Sequence, residues 1–299
     1  MLTQDNFFMT PLADITLFRD WYIFYQSGKA VQNGISPYLV EGYLNPIQVA
    51  WVLSLTTYIP FSFWVIVMCS VAFVLIVILV KKRSHWVLLS FPFIFGLAMG
   101  SLDVFLWIPA RLLGGWALPL LTLKPQIGVF VIPMQLMEWW RERNIKQLKL
   151  FLIGLILLWG IPIIIQPTWL LDWIHALPSI SMRMNLSASF AGFSAMTGGE
   201  IIYGILFLAV LIILLAKGNN DYYMAAAFAP SFWPSDWIIA SEFIGWRFSL
   251  LSWALIPTGL TPNGAQFYFL LGFLVWAEKH PDTARNWVLS VQNYLRSIV

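Results

Sequence analysis

Four ionisable residues, Asp20, Lys124, Asp236 and Arg247, stand among apolar and aromatic neighbours in this chain of 299 residues. At membrane depth such a group costs on the order of 3 kcal/mol and needs a polar partner or pathway. Asp20 opens "FRDWYIFYQSGKAVQNGISPYL", residues 18–39, and Lys124 directly precedes Pro125. Asp236 lies in "PSFWPSDWIIA", and Arg247 follows Glu242 by five residues. His175 and Arg183 share the segment 167–199, and Tyr22 adjoins Asp20. A carboxylate can take a proton from a hydroxyl, and lysine and arginine can receive negative charge on a leaving group. Plainer readings stand beside these. Asp20 pairs with Arg19 or Lys29 or faces water, Lys124 snorkels to headgroups, and Arg247 pairs with Glu242. Asp103, near the first expected turn, is either a second polar contact or a helix cap. No HExxH or CxxC spacing and no glycine-rich phosphate loop occurs, so neither a metal, nor another cofactor, nor an encoded nucleotide-sugar site is expected.

The elements that must hold these residues are membrane elements. Hydrophobic residues make up 60% of the chain and charged ones 10%, and the mean hydropathy is +0.76, more apolar surface than a soluble domain hides. Residues 61–80 form an uncharged run of twenty, long enough to span the roughly 30 Å hydrocarbon core. Residues 150–166 and 201–216 are shorter spans. Between 87 and 140 the apolar pattern is broken by Gly, Pro, Asp103, Arg111 and Lys124. Two short hairpins fit there, 87–100 with 101–110 and 115–124 with 126–140, and broken backbone at that depth argues for a cavity near Lys124. The expected fold is therefore all-α and polytopic, a single membrane domain. It divides into an external interfacial segment (1–46), helices and hairpins (47–166), an external loop (167–199), further spans (200–277) and an amphipathic tail (278–299). On a helical wheel Leu17, Phe18, Trp21, Phe24, Tyr25 and Val31 share one arc and Thr16, Arg19, Asp20, Gln26 and Ser27 the other, the pattern of an interfacial helix. Asn33-Gly34 and Pro37 end that helix.

The order Asp20, Tyr22, Tyr25, Gly34, Pro37-Tyr38, Tyr43 and Pro46 before a long apolar helix resembles the first external loop of the C-type (GT-C) membrane glycosyltransferases, above all the branch using polyprenyl-phosphate mannose. "LTLKPQIGVFVIPMQLMEWWRER" and "PSFWPSDWIIA" are similar to that branch's lysine-proline turn and late proline-aromatic-aspartate segment. The resemblance implies a mannosyl or related transfer from a polyprenyl-phosphate donor to an acceptor hydroxyl at the external face of a plasma or inner membrane. It makes Asp20 the base, Lys124, Arg247 and Arg183 the donor-phosphate ligands, and Asp236, His175 and Tyr22 further substrate contacts. The family's usual first spanning helix has no counterpart ahead of Asp20, which leaves room for a partner subunit that supplies it. Two other classes stay open: a non-catalytic membrane subunit, and a lipid or solute transporter. Nothing points to nucleic acid.

Three basic clusters, "KKRSH" (81–85), "RERNIKQLK" (141–149) and Lys217, fix the expected orientation, because such clusters stay cytoplasmic. With Cys69 removed and single cysteines at Ser36, Ser84 and Ser181, an impermeant thiol reagent applied to intact cells should label Ser36→Cys and Ser181→Cys and spare Ser84→Cys. Outside labelling of Ser84→Cys would reverse the orientation.

Overall fold

The computed structural model describes residues 18–80, 85–176, 191, 200–217, 221–229, 234–243, 246–256 and 266–298. Among these the chain is helical throughout, without strands. In order the helices are α1 (Arg19–Gln32), α2 (Ile47–Ser54), α3 (Phe61–Val80), α4 (Phe91–Met99), α5 (Asp103–Leu113), α6 (Pro125–Arg141), α7 (Ile145–Ile165) and α8 (Trp169–Ala176). They continue with α9 (Glu200–Lys217), α10 (Tyr222–Ala227), α11 (Trp246–Ala254), α12 (Phe269–Lys279) and α13 (Pro281–Ile298). Tight 3₁₀ turns at Leu118–Leu123 and Pro234–Phe243 complete the parts that matter for the site.

Of the two expected hairpins, the second is present and the first is a turn only: α4 and α5 are joined at Gly100 but scarcely touch each other. The first joins α4 to α5 through Gly100, whose φ of 97° is a left-handed helix stop that glycine adopts without penalty. The second folds the 118–123 turn back onto α6 at Lys124-Pro125, where proline occupies the first helical position and sacrifices no hydrogen bond. Gly128 permits that approach, since a Cβ there would lie 2.5 Å from the Leu121 carbonyl oxygen. α1 also stops where the sequence demands. Gly34 has φ 70°, and the Gly34 and Ile35 amides bond to the Val31 and Ala30 carbonyls at 3.0 and 2.9 Å.

Two further expectations change. Ser27, placed on the polar arc of α1, is fully buried and donates to the Ile23 carbonyl at 2.7 Å. Its neighbour Gly28 is so close to Thr57 and Ser54 that α1 packs directly along α2. A helix with Trp21, Phe24, Ser27, Gly28 and Ala30 buried is a bundle element, because its small residues face protein. The second change concerns 167–199, which begins with a helix, α8. Its Trp169 and Trp173 stack on Trp159 of α7, and Trp173 donates to the Leu44 carbonyl at 2.8 Å.

Among the described residues two helices, over Phe61–Ile78 and Ile145–Ile165, are long and apolar enough to cross a membrane; Ile205–Ala216 is a shorter apolar helix. α7 buries only Gly154 and Pro162, while Ile156, Ile164 and Ile165 project outward at 59%, 81% and 65% exposure. So much exposed aliphatic surface on one helix calls for an apolar environment. The Arg141 guanidinium donates to the Leu215 carbonyl at 2.7 Å, so the end of α6 and the end of α9, both bordered by basic residues, meet at one end of the molecule. Toward the other end the Tyr25 hydroxyl donates to the Ile59 carbonyl, just ahead of α3, and the Gln48 side chain donates to the Leu158 carbonyl, two thirds of the way along α7.

Gly100 gives the test of this packing. A Cβ there would sit 2.4 Å from the Trp21 backbone nitrogen, on a residue already held at positive φ. Gly100→Ala should cost at least the ~1–3 kcal/mol of a left-handed alanine, seen as a lowered thermal midpoint of the purified protein in detergent.

Candidate functional site

The tip of the turn between α4 and α5 is the socket into which the start of α1 plugs. The Phe18 amide donates to the Ala98 carbonyl at 2.8 Å, helped by a left-handed Phe18 with φ 63°. The Trp21 indole donates to the Leu97 carbonyl at 2.8 Å. Trp21 is fully buried, edge-on to Trp64 and Phe105 at 5.6 and 6.3 Å between ring centroids. Asp20 lies between these two anchors in sequence, so its backbone is fixed beside the tip. The tip is level with the interior of α3: Trp64 is its fourth residue, and the Cys69 thiol, near its middle, points to the Leu97 carbonyl at 3.9 Å.

Past the tip, Ser101 and Asp103 begin the return helix. The Ser101 hydroxyl donates to one Asp103 oxygen and accepts from the Asp103 amide at 3.2 Å. The other Asp103 oxygen takes the Lys124 ammonium in a direct ion pair. Lys124 also reaches Asp236 Oδ1 at 2.5 Å and approaches Ser101 Oγ at 3.5 Å. Gly96 admits the third segment, since a Cβ there would stand 3.3 Å from Ser235 Cβ. Asp103 and Asp236 are almost wholly buried and Lys124 nearly so, with 1%, 0% and 14% of their side chains exposed. Three stretches far apart in sequence thus meet on one ammonium.

Asp20 is the half-buried member. Burial pushes its carboxyl up to about 6, against the opposing pull of Lys124 and Arg19 and with a further push from Asp103. Lys124 and Asp103 therefore lie within electrostatic reach of Asp20. Of the trio, Lys124 acts on Asp20 more strongly than Asp103 does and favours its ionised form, so loss of water is what raises the pKa. The arrangement can supply a carboxylate that accepts a proton near neutral pH. It can also hold an anion, but a phosphate reaches Lys124 only by displacing one of two carboxylates.

The structure brings together Asp20, Lys124 and Asp236, and adds Asp103 with Ser101. Tyr22 is on the far side of α1, half exposed and edge-on to Phe61. His175 is exposed on α8. Arg247 is exposed at the start of α11 with its guanidinium 5.8 Å from the Trp246 ring centroid, and neither its cation–π contact nor the packing of α11 leads to Lys124. Arg183 and the Glu242 side chain lie outside the described residues. Asp103 has a defined partner in Lys124, where the sequence left helix capping as an equal reading. At Lys124, where a cavity was expected, the structure shows the ion pairs with Asp103 and Asp236. A cleft of about 210 Å³ lies between α5, α6 and α7, lined in part by Arg111, Gln135, Asn144 and Gln147. Among the described residues no cluster of His, Cys, Asp and Glu could hold a metal ion.

Compared with known proteins, the chain matches no family model, no curated protein and no solved structure.

The ion-pair trio makes a stability prediction. Lys124→Met strands two buried carboxylates and should cost about 3–5 kcal/mol. Adding Asp103→Asn removes one of them and should restore part of the loss, so a double-mutant cycle on thermal or denaturant midpoints should show strong non-additivity. Additive effects would mean the two side chains are not paired.

Proposed function

We propose that the chain is a multi-pass membrane glycosyltransferase of the GT-C kind, moving a sugar, with mannose the first candidate, from a polyprenyl phosphate to an acceptor hydroxyl at the outer face. The observation that carries this reading is the placement of Asp20. It is a half-buried carboxylate with a raised pKa, beside a buried lysine and level with the interior of an apolar helix long enough to span. A lipid-linked sugar offers its anomeric carbon at such a level while its tail stays among hydrocarbon.

In this mechanism Asp20 takes the acceptor proton as the acceptor oxygen bonds to the anomeric carbon. The bond from that carbon to the phosphate oxygen breaks, and its electron pair leaves with the phosphate. A carboxyl at about 6 serves better than one at 3.8, because it is still ionised at neutral pH yet binds the proton more firmly. Lys124 holds Asp103 and Asp236 in place and lowers the cost of charging Asp20. It receives the phosphate charge only if one of those carboxylates yields. Arg19, exposed beside Asp20, is a second cation within reach of a headgroup. Further spans, a partner subunit supplying a first helix, and a plasma or inner membrane with the basic end inward belong to the same reading.

A second reading has one specific observation in its favour: the charge of Lys124 is already engaged by carboxylates. That suits a non-catalytic subunit, or a transporter whose buried charges line a path. Transfer activity separates the two.

Purified protein in liposomes, given polyprenyl-phosphate mannose and acceptor lipids, should transfer the sugar. Asp20→Asn keeps the shape of α1, and transfer should fall by about 10²–10⁴ with donor binding little changed. The unmodified rate should rise with pH through about 6, as Asp20 loses its proton, and Asp20→Asn should lack that limb. Equal activity of the two proteins would return Asp20 to a structural role.

A further inference from the structure

A second polar junction lies at the basic end of the molecule. Asp221, four residues after α9, is buried, and it accepts from the Tyr223 hydroxyl, from Lys279 Nζ at 3.3 Å and at the His280 ring at 3.1 Å. Lys279 also lies over the Tyr223 ring, 4.8 Å from its centroid. These contacts fasten the end of α12 to the segment after α9, which Arg141 holds at the level of the basic cluster. His280 then turns the chain (φ −126°, ψ 59°) and Pro281 starts a new helix, since proline cannot continue the old one. α13 thus leaves the body at that level.

α13 is amphipathic and scarcely packed. Ala284, Trp287, Val288 and Val291 follow the i, i+3, i+4, i+7 pattern and share one arc, with Arg285, Asn286, Ser290 and Asn293 opposite. Trp287 is 64% and Val288 46% exposed, and among the described residues only α12, its immediate predecessor, touches the helix substantially. Arg141, Arg143, Lys146 and Lys149 are exposed at the same end. A basic rim at the start of an unpaired apolar stripe complements a surface that is anionic outside and hydrocarbon inside, which is a bilayer leaflet. We infer that α13 lies in the headgroup region of the leaflet on the basic side, with Trp287, Val288 and Val291 turned into the acyl boundary and the Asp221–His280 junction as its fixed pivot. This assignment rests on the membrane reading above and puts the C-terminal tail on the basic side.

The test uses the full chain with Cys69→Ser in vesicles of phosphatidylcholine and phosphatidylglycerol. Single cysteines at Val288, at Asn286 and, as a control, at Ile156 on the exposed face of α7 carry an environment-sensitive fluorophore. Lipids with spin labels high on the acyl chain should quench Val288→Cys strongly and Asn286→Cys weakly, and aqueous iodide should show the reverse order. Vesicles without phosphatidylglycerol should lessen the lipid quenching at Val288 while leaving a deep lipid label's effect at Ile156 unchanged. If Ile156→Cys is quenched by lipid and Val288→Cys only by iodide, the surface helix is wrong and the membrane reading stands. If lipid labels quench neither, the membrane reading itself fails. A Val288 probe shielded from both quenchers would put a protein partner on the stripe and overturn the lipid assignment.

Discussion

One ammonium organises the centre of this molecule. Lys124 joins Asp103 at the start of α5 and Asp236 in the 234–243 turn, and those segments are held by helices whose other faces are apolar. Removing two carboxylates and an ammonium from water is expensive, and their mutual attraction repays the cost only with close geometry and further hydrogen bonds. The Ser101 hydroxyl supplies one such bond, and the glycines at 96, 100 and 128 let the backbones come near enough for the charges to meet. The surrounding packing can be understood as what keeps that contact dry.

The position of α1 follows from the same centre. The Leu97 and Ala98 carbonyls at the end of α4 have no helical successor to bond, because Gly100 ends the helix. The Trp21 indole and the Phe18 amide take them. Asp20 is thereby placed next to the trio by groups that have no chemical role of their own. Its raised pKa reflects two opposed consequences of that address, loss of water and the nearness of Lys124.

Much of this was legible in the sequence, and the failures have physical causes. The turn between α4 and α5 could be read because Gly100 interrupts apolar residues, and the Lys-Pro turn because proline fixes where α6 starts; that α4 and α5 do not pair could not. The convergence of Asp20, Lys124 and Asp236 came through a resemblance, as no local rule brings residues a hundred positions apart together. Ser27 was misplaced because a wheel assigns serine to water, whereas a helix hydroxyl can bond the carbonyl one turn back and travel with a buried face. α8 escaped notice because eight residues are too few to show a period; tryptophan stacking holds it to α7. Asp103 carried a usable signal, a carboxylate just after a glycine stop among apolar residues, but its partner depends on tertiary contact.

The shortness of the central helices has a consequence for how the protein is made. α4 has nine residues, about 14 Å of helix, and α5 eleven. Neither reaches across a bilayer, and α5 begins with a carboxylate that would enter hydrocarbon bare. On the membrane reading proposed above, Asp103 finds its counter-ion only in a segment synthesised 21 residues later, so the charge at the start of α5 is uncompensated until Lys124 follows it. The order of synthesis and the order of charge pairing are thereby tied together.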